Sequence, residues 1–136
     1  MASETTLLVE TAPPVSMTCA DNTGIEKGAI LKLSDPNTCA LADGDDDIVA
    51  GIAAEEKIAD NGQTTIAVYK EGEFKGLAGG AITIGAALGT YASTGATNEI
   101  HVLGAAGDNK LGESMEAADD THTFRFILKP SKRDMA

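Results

Sequence analysis

The densest set of candidate ligands in this 136-residue chain is DGDDD, Asp43 to Asp47. Closely spaced carboxylates supply the hard oxygens that calcium takes, and Asp43, Asp45 and Asp47 match the first three ligand positions of an EF-hand loop. The match ends there, because Ile48 stands where that loop needs glycine and Ala54 where it needs its closing glutamate. The stretch reads as a solvated acidic turn. Cys19 and Cys39 lie twenty positions apart with no C-x-x-C pairing, so a metal cluster lacks ligands. Two reduced structural thiols are expected, with a single disulfide as the alternative in an oxidising exterior. His101 sits between Ile100 and Val102, His122 lies in a strand-like terminal run, and neither cysteine has an activating neighbour in sequence. The glycines of KGLAGGAITIGAALG, Lys75 to Gly89, fit neither G-x-G-x-x-G nor the P-loop spacing, and suit tight turns and close backbone approach instead. No catalytic, cofactor or metal site is expected, and the chain is not expected to be an enzyme.

The elements around these residues must be built from small side chains. There is no Trp, and Phe74, Phe124, Phe126, Tyr69 and Tyr91 are the only aromatics among 43% hydrophobic residues, so the core is aliphatic. A chain of this length makes one domain and removes roughly two thirds of its unfolded surface from water. Ten Lys and Arg against 21 Asp and Glu leave a net charge of −11, which repels phosphate backbones and anionic lipid surfaces. Neither a nucleic acid nor a membrane is expected as partner. The start MASETTLLVE lacks the basic residues and the apolar run of ~7–15 that a secretory signal needs. The apolar window AGGAITIGAALG falls short of the ~20 residues that span a bilayer. A soluble protein made in the cytoplasm is expected.

Residues 1–24 show no period and contain Pro13 and Pro14, which withhold backbone donors. They read as an extended N-terminal arm, the plain alternative being a floppy terminus. From Ile25 to the C-terminus, short runs such as AILKL, IVAGIA, TTIAVYK, EIHVL and THTFRFILK alternate with turn clusters. That spacing predicts an all-β domain over 25–136, a small β-barrel or β-sandwich. In the last run His122, Phe124, Phe126 and Leu128 share one face of a strand. One short helical turn is plausible only in ESMEAADD. IEKGAILKL from Ile25 echoes ITIGAALGTY from Ile82, with Gly28 matching Gly85, and a later echo pairs Gly51 with Gly112. Two degenerate β-units, about 25–76 and 80–129, are expected from these matches.

In TTIAVYKEGEFKG, Thr64 to Gly76, an alternating strand meets charges around Gly72 and resumes at Phe74, which predicts a reversing turn and a hairpin. The run Ile48 to Gly76 resembles the central part of the head-decoration proteins of lambda-like tailed phages. The matching residues are Ala50-Gly51-Ile52, the alternating Thr64 to Val68, and Tyr69, Lys70, Gly72 and Phe74. The wider layout, with ITIGAALGTYA and a final FRFIL, resembles a longer group of phage capsid cement proteins, and the two likenesses together span most of residues 25 to 129. The resemblance implies a homotrimer on the outer surface of an icosahedral capsid, with the major capsid protein as partner. It also implies a leading segment that adds a strand to a capsid-protein sheet, which here would be Thr5, Thr6, Leu7, Leu8, Val9, Pro13, Pro14 and Val15. Strand addition draws on main-chain hydrogen bonds and asks little of side-chain identity. The competing expectation is a virion fibre or receptor-binding β-domain.

Overall fold

The computed structural model describes residues 4–43, 47–91, 98–103 and 109–132, with Ser131 and Lys132 by backbone alone. Eleven strands and no helix are found among the described residues: β1 Thr6–Val9, β2 Val15–Thr18, β3 Ile30–Asp35, β4 Thr38–Leu41, β5 Val49–Ala53, β6 Thr65–Tyr69, β7 Gly72–Ala78, β8 Ala87–Thr90, β9 Glu99–Val102, β10 Asn109–Ser114 and β11 Thr123–Lys132. The all-β expectation holds. The helical turn in ESMEAADD does not form. Ser114 Oγ instead donates to the Glu116 carbonyl, Glu116 Oε1 accepts the Arg125 N–H at 2.6 Å, and Ala118 pairs with Ile82. Side-chain bonds to nearby backbone groups compete with a helix in this way.

The strands close into two barrels with the same wiring. In the first, β2, β4, β3, β5 and β6 follow one another around the ring. Its contacts are antiparallel except for the parallel pair β2–β4. In the second, β7, β9, β8, β10 and β11 repeat that order, with β7–β9 as the parallel pair. Smaller features repeat as well. The bridge Ile25–Lys57 has its counterpart in Ile82–Ala118. Gly28 donates to the Ala53 carbonyl as Gly85 does to that of Ser114. Asp60 and Thr121 carry φ of 60° and 67° at matching turns. The glycine echoes in the sequence mark equivalent places.

The barrels begin and end elsewhere than the sequence units. The first runs from Val15 to Tyr69 and the second from Gly72 to Lys132, so Gly72–Gly76 opens the second barrel and does not close the first. The extended arm at 1–24 is also corrected, because β2 is a stave of the first barrel and β1 lies against β7. Met17 and Cys19 from this segment are 1% and 4% exposed. Four-residue strands are too short to show a period, and the two prolines sit in the link between them, where no ladder bond is lost.

Two apolar clusters fill the molecule. Met17, Cys19, Ile25, Leu31, Ile66 and Val68 pack inside the first barrel. The other cluster joins the second barrel's Phe74, Leu88, Ile100, Leu111, Phe124, Phe126 and Leu128 to Ile30, Val49 and Ile52 of the first. All five residues of β5 are buried, since one side meets its own barrel and the other meets the neighbour. The alternation read in the terminal run is observed from Phe124 on, with Phe124, Phe126 and Leu128 fully buried and Arg125 and Lys129 exposed, but His122 precedes β11 and is exposed, so it does not share the buried face.

A buried polar side chain helps tie the barrels together. Asn98, just before β9, accepts the Ile30 N–H at 2.9 Å through Oδ1 and donates to the Gly28 carbonyl at 2.9 Å through Nδ2. Thr5 Oγ1 donates to the same carbonyl at 2.7 Å. Asn98→Ala strips a partner from a buried N–H, which costs about 1–3 kcal/mol, and loses a second bond besides. A drop of about 2–3 kcal/mol in urea unfolding is expected, and a loss under about 0.5 kcal/mol would show the tie to be idle.

Candidate functional site

The leading segment and the Tyr69–Phe74 motif fall in one place. The link from β6 to β7 is Lys70 and Glu71, flanked by Tyr69 and Gly72, and the leading segment lies over it. Leu7 stands opposite Phe74 and Val9 opposite Glu73 on β7, with a bulge between Leu7 and Val9. Six residues further on, Val15 stands opposite Val68 on β6. The segment therefore straddles the junction, with Thr6–Val9 on the second barrel and both Thr5 and Val15 on the first. The predicted hairpin is absent, because β6 and β7 lie in different sheets and find their partners elsewhere. The short polar link turns the chain from one ring into the next.

Packing at this seam is close. The Tyr69 and Phe74 rings meet edge to face with centroids 5.8 Å apart. Burial, and after it the Glu10 carboxylate, push the Tyr69 phenol up from its ordinary pKa. Gly72 has φ of 139°, and a Cβ there would come within 2.9 Å of the Val9 carbonyl oxygen, so glycine lets the leading segment settle on β7. Gly51 and Ile52 serve the interior: both are buried in β5, Ile52 fully. Lys70 is exposed.

The segment exposes apolar side chains between polar ones. Leu8, Val9 and Val15 are 38%, 45% and 42% exposed. β1 ends the order of its sheet, and no other described strand pairs with its far edge. An uncovered edge strand with apolar side chains is a template for another chain.

A sequence profile for phage cement proteins matches residues 9–129. The chain belongs to the phage cement protein family. Membership gives it a structural role in the virion, at the phage capsid. Among solved structures the cement protein is similar to the base of the head fibre gp8.5 of bacteriophage phi29, at 17% identity and a TM-score of 0.57. The likeness covers 90% of this chain and 99% of that one, and it supports the barrel fold. No protein of curated function matches.

The chemistry-bearing residues of the cement protein are otherwise engaged. Asp43 pairs with Lys32 at 2.8 Å, and that bond holds its carboxyl below the usual range. Asp47 accepts the Asp43 N–H and donates its own N–H to Thr90. Gly44, Asp45 and Asp46 of the acidic turn lie outside the described residues. Among the described residues no three His, Cys, Asp or Glu gather as a metal set. Cys19 and Cys39 are free thiols in the first barrel's core, and burial pushes Cys39 up to about 11, where little nucleophilic thiolate exists at neutral pH. Asn98 and Lys57 are among the buried polar residues that sequence reasoning missed. Asn98 gave no signal, and Lys57, 2% exposed, stands out only when the two units are aligned and Ala118 falls opposite it.

Proposed function

We propose that this cement protein binds the outer face of an icosahedral tailed-phage capsid as a homotrimer and clamps neighbouring major capsid subunits in the expanded, mature lattice. The observation that carries the reading is the leading segment: an edge strand with Leu8 and Val9 exposed, followed by an exposed Val15 at the start of β2, and anchored to both barrels. A capsid-protein strand would extend the sheet beyond β1, and the apolar side chains would supply burial. A ligand that binds only the mature shell stabilises it by about 2.7 kcal/mol per site at a hundredfold excess over Kd, and the sites on one shell add. Three such segments on one trimer would raise avidity through effective concentration. The net charge of −11 suits a place outside, away from packaged DNA.

The likeness to a fibre base supports a second reading, a fibre or receptor-binding domain of the virion. One experiment separates them. Purified protein is mixed with expanded empty capsids and imaged by electron cryomicroscopy. The clamp predicts stoichiometric density at three-fold or quasi-three-fold positions, and the double variant Leu8→Asp, Val9→Asp should bind about tenfold more weakly with its melting unchanged. Mature shells left bare, or attachment to host cells in their place, would overturn the clamp.

A further inference from the structure

The second barrel has a groove at a place where the first barrel holds a buried lysine. It measures about 500 Å³ and is lined by Ala81, Ile82, Thr83, Ala118, Asp119 and His122, among others. Its floor is the bridge between Ile82 and Ala118, closed by reciprocal backbone bonds of 2.8 and 3.0 Å. The first barrel builds the same bridge between Ile25 and Lys57, with bonds of 2.9 and 2.7 Å. There the site is filled. Lys57 is 2% exposed, and its Nζ donates to the carbonyls of Asp21 and Thr23, both at 2.7 Å.

In the second barrel the same position is Ala118, whose side chain stops at Cβ. The loop that supplies the two carbonyls, Asp21 to Gly24, is matched at equal length by Ala78 to Ala81, since the Asp60 N–H bonds the Asp21 carbonyl as the Thr121 N–H bonds that of Ala78. Nothing lies within 4 Å of where a Gly80 side chain would begin, so the wall is open. Asp119 lines the groove and Asp120 follows it, both exposed. The scaffold that binds a lysine within one barrel is thus repeated in the other without its lysine, and with a carboxylate added.

We propose that this groove takes a lysine side chain from a second protein. A lysine suits it better than arginine. A compact ammonium on a straight methylene stem is what the equivalent site holds, while a planar guanidinium needs a wider paired acceptor. The stem lies along the apolar floor of Ala81, Ile82 and Ala118, and the ammonium reaches Asp119 and the loop backbone. The acidic balance of the whole chain draws a basic segment to it.

The inference stands apart from the capsid reading, because its test needs no capsid. The isotope-labelled full chain is titrated with acetyl-Gly-Lys-Gly-amide and followed through its amide resonances. Saturable shifts at Ile82, Thr83, Ala118 and His122 are expected in the millimolar range, as befits one side chain. The same peptide with norleucine for lysine should bind about tenfold more weakly, since it keeps the stem and loses the charge. Ala118→Lys, which fills the groove from within, should abolish the shifts. Asp119→Asn, an exposed change that leaves the barrel untouched, should weaken binding about threefold. Absent groove shifts, equal binding of the norleucine peptide, or an Asp119→Asn variant that binds as well as the parent would each overturn the proposal.

Discussion

Gly112→Ala is expected to abolish folding. A Cβ at Gly112 would stand 1.9 Å from the Ile127 carbonyl oxygen and 2.9 Å from its carbon. Both are backbone atoms of the neighbouring strand, so no rotamer relieves the clash and β10 would have to part from β11. The pairing on either side, Gly112 with Leu128 and Glu113 with Ile127, would go with it. The equivalent residue of the first barrel has the same contact: a Cβ at Gly51 would stand 2.1 Å from the Tyr69 carbonyl oxygen. Gly51 also has φ of 149°, which side chains rarely adopt, so Gly51→Ala adds backbone strain to the clash. Each change should remove more than about 4 kcal/mol, a large share of the 5–15 kcal/mol that holds a domain together. Gly62→Ala is the control. Its φ of 86° costs about 1 kcal/mol, but nothing lies within 4 Å of its Cβ. Soluble yield and a cooperative thermal transition separate the cases, and a Gly112→Ala protein that melts within a few degrees of the parent would contradict the packing described.

That pair of glycines also shows what a sequence discloses about such a fold. Gly51 and Gly112, Gly28 and Gly85, Ile25 and Ile82 are legible as an echo because each is demanded by backbone geometry that small side chains elsewhere do not blur. The terminal strand was legible for a related reason: alternation from Phe124 to Leu128 runs long enough to declare an inside and an outside. Strand partners were not legible. A closed ring pairs β2 with β4 and β6, and β7 with β9 and β11, and local pattern carries no record of those choices. TTIAVYKEGEFKG therefore looked like a hairpin although its two strands belong to different barrels. Thr5–Val15 looked like an arm because its strands are four residues long and half exposed. The seam nonetheless gathered residues flagged for two separate reasons, the leading segment and the Tyr69–Phe74 motif, since covering the junction between rings requires both.

Phe126→Ala is expected to cost about 3–5 kcal/mol, the range for deleting a fully buried aromatic ring. Phe126 is 0% exposed and stands opposite Phe74 on β7. The two rings stack with centroids 6.1 Å apart, and Phe124 lies 5.7 Å away on the other side. Gly76 leaves room for the ring, since a Cβ there would come within 2.9 Å of Phe126 Cε1. The hole left by alanine is walled by strands held in ladders on both sides, so it collapses little and the cost falls high in the range. Leu8→Ala, at an exposed position, should cost under about 1 kcal/mol and so separates stability from capsid binding. The shape of the Phe126→Ala transition matters as much as its midpoint. The cluster around Phe126 continues through Ile52 and Ile30 into the first barrel, and Asn98 bonds across the same junction. Weakening it should lower one shared transition and keep it single, with fluorescence-independent probes of the two barrels, such as thiol exposure at Cys39 and amide exchange at Leu111, moving together. Two separated transitions would mean that each ring folds by itself and that the junction only docks them, in which case the leading segment would be the clasp and its removal, more than the loss of the ring, would part the barrels.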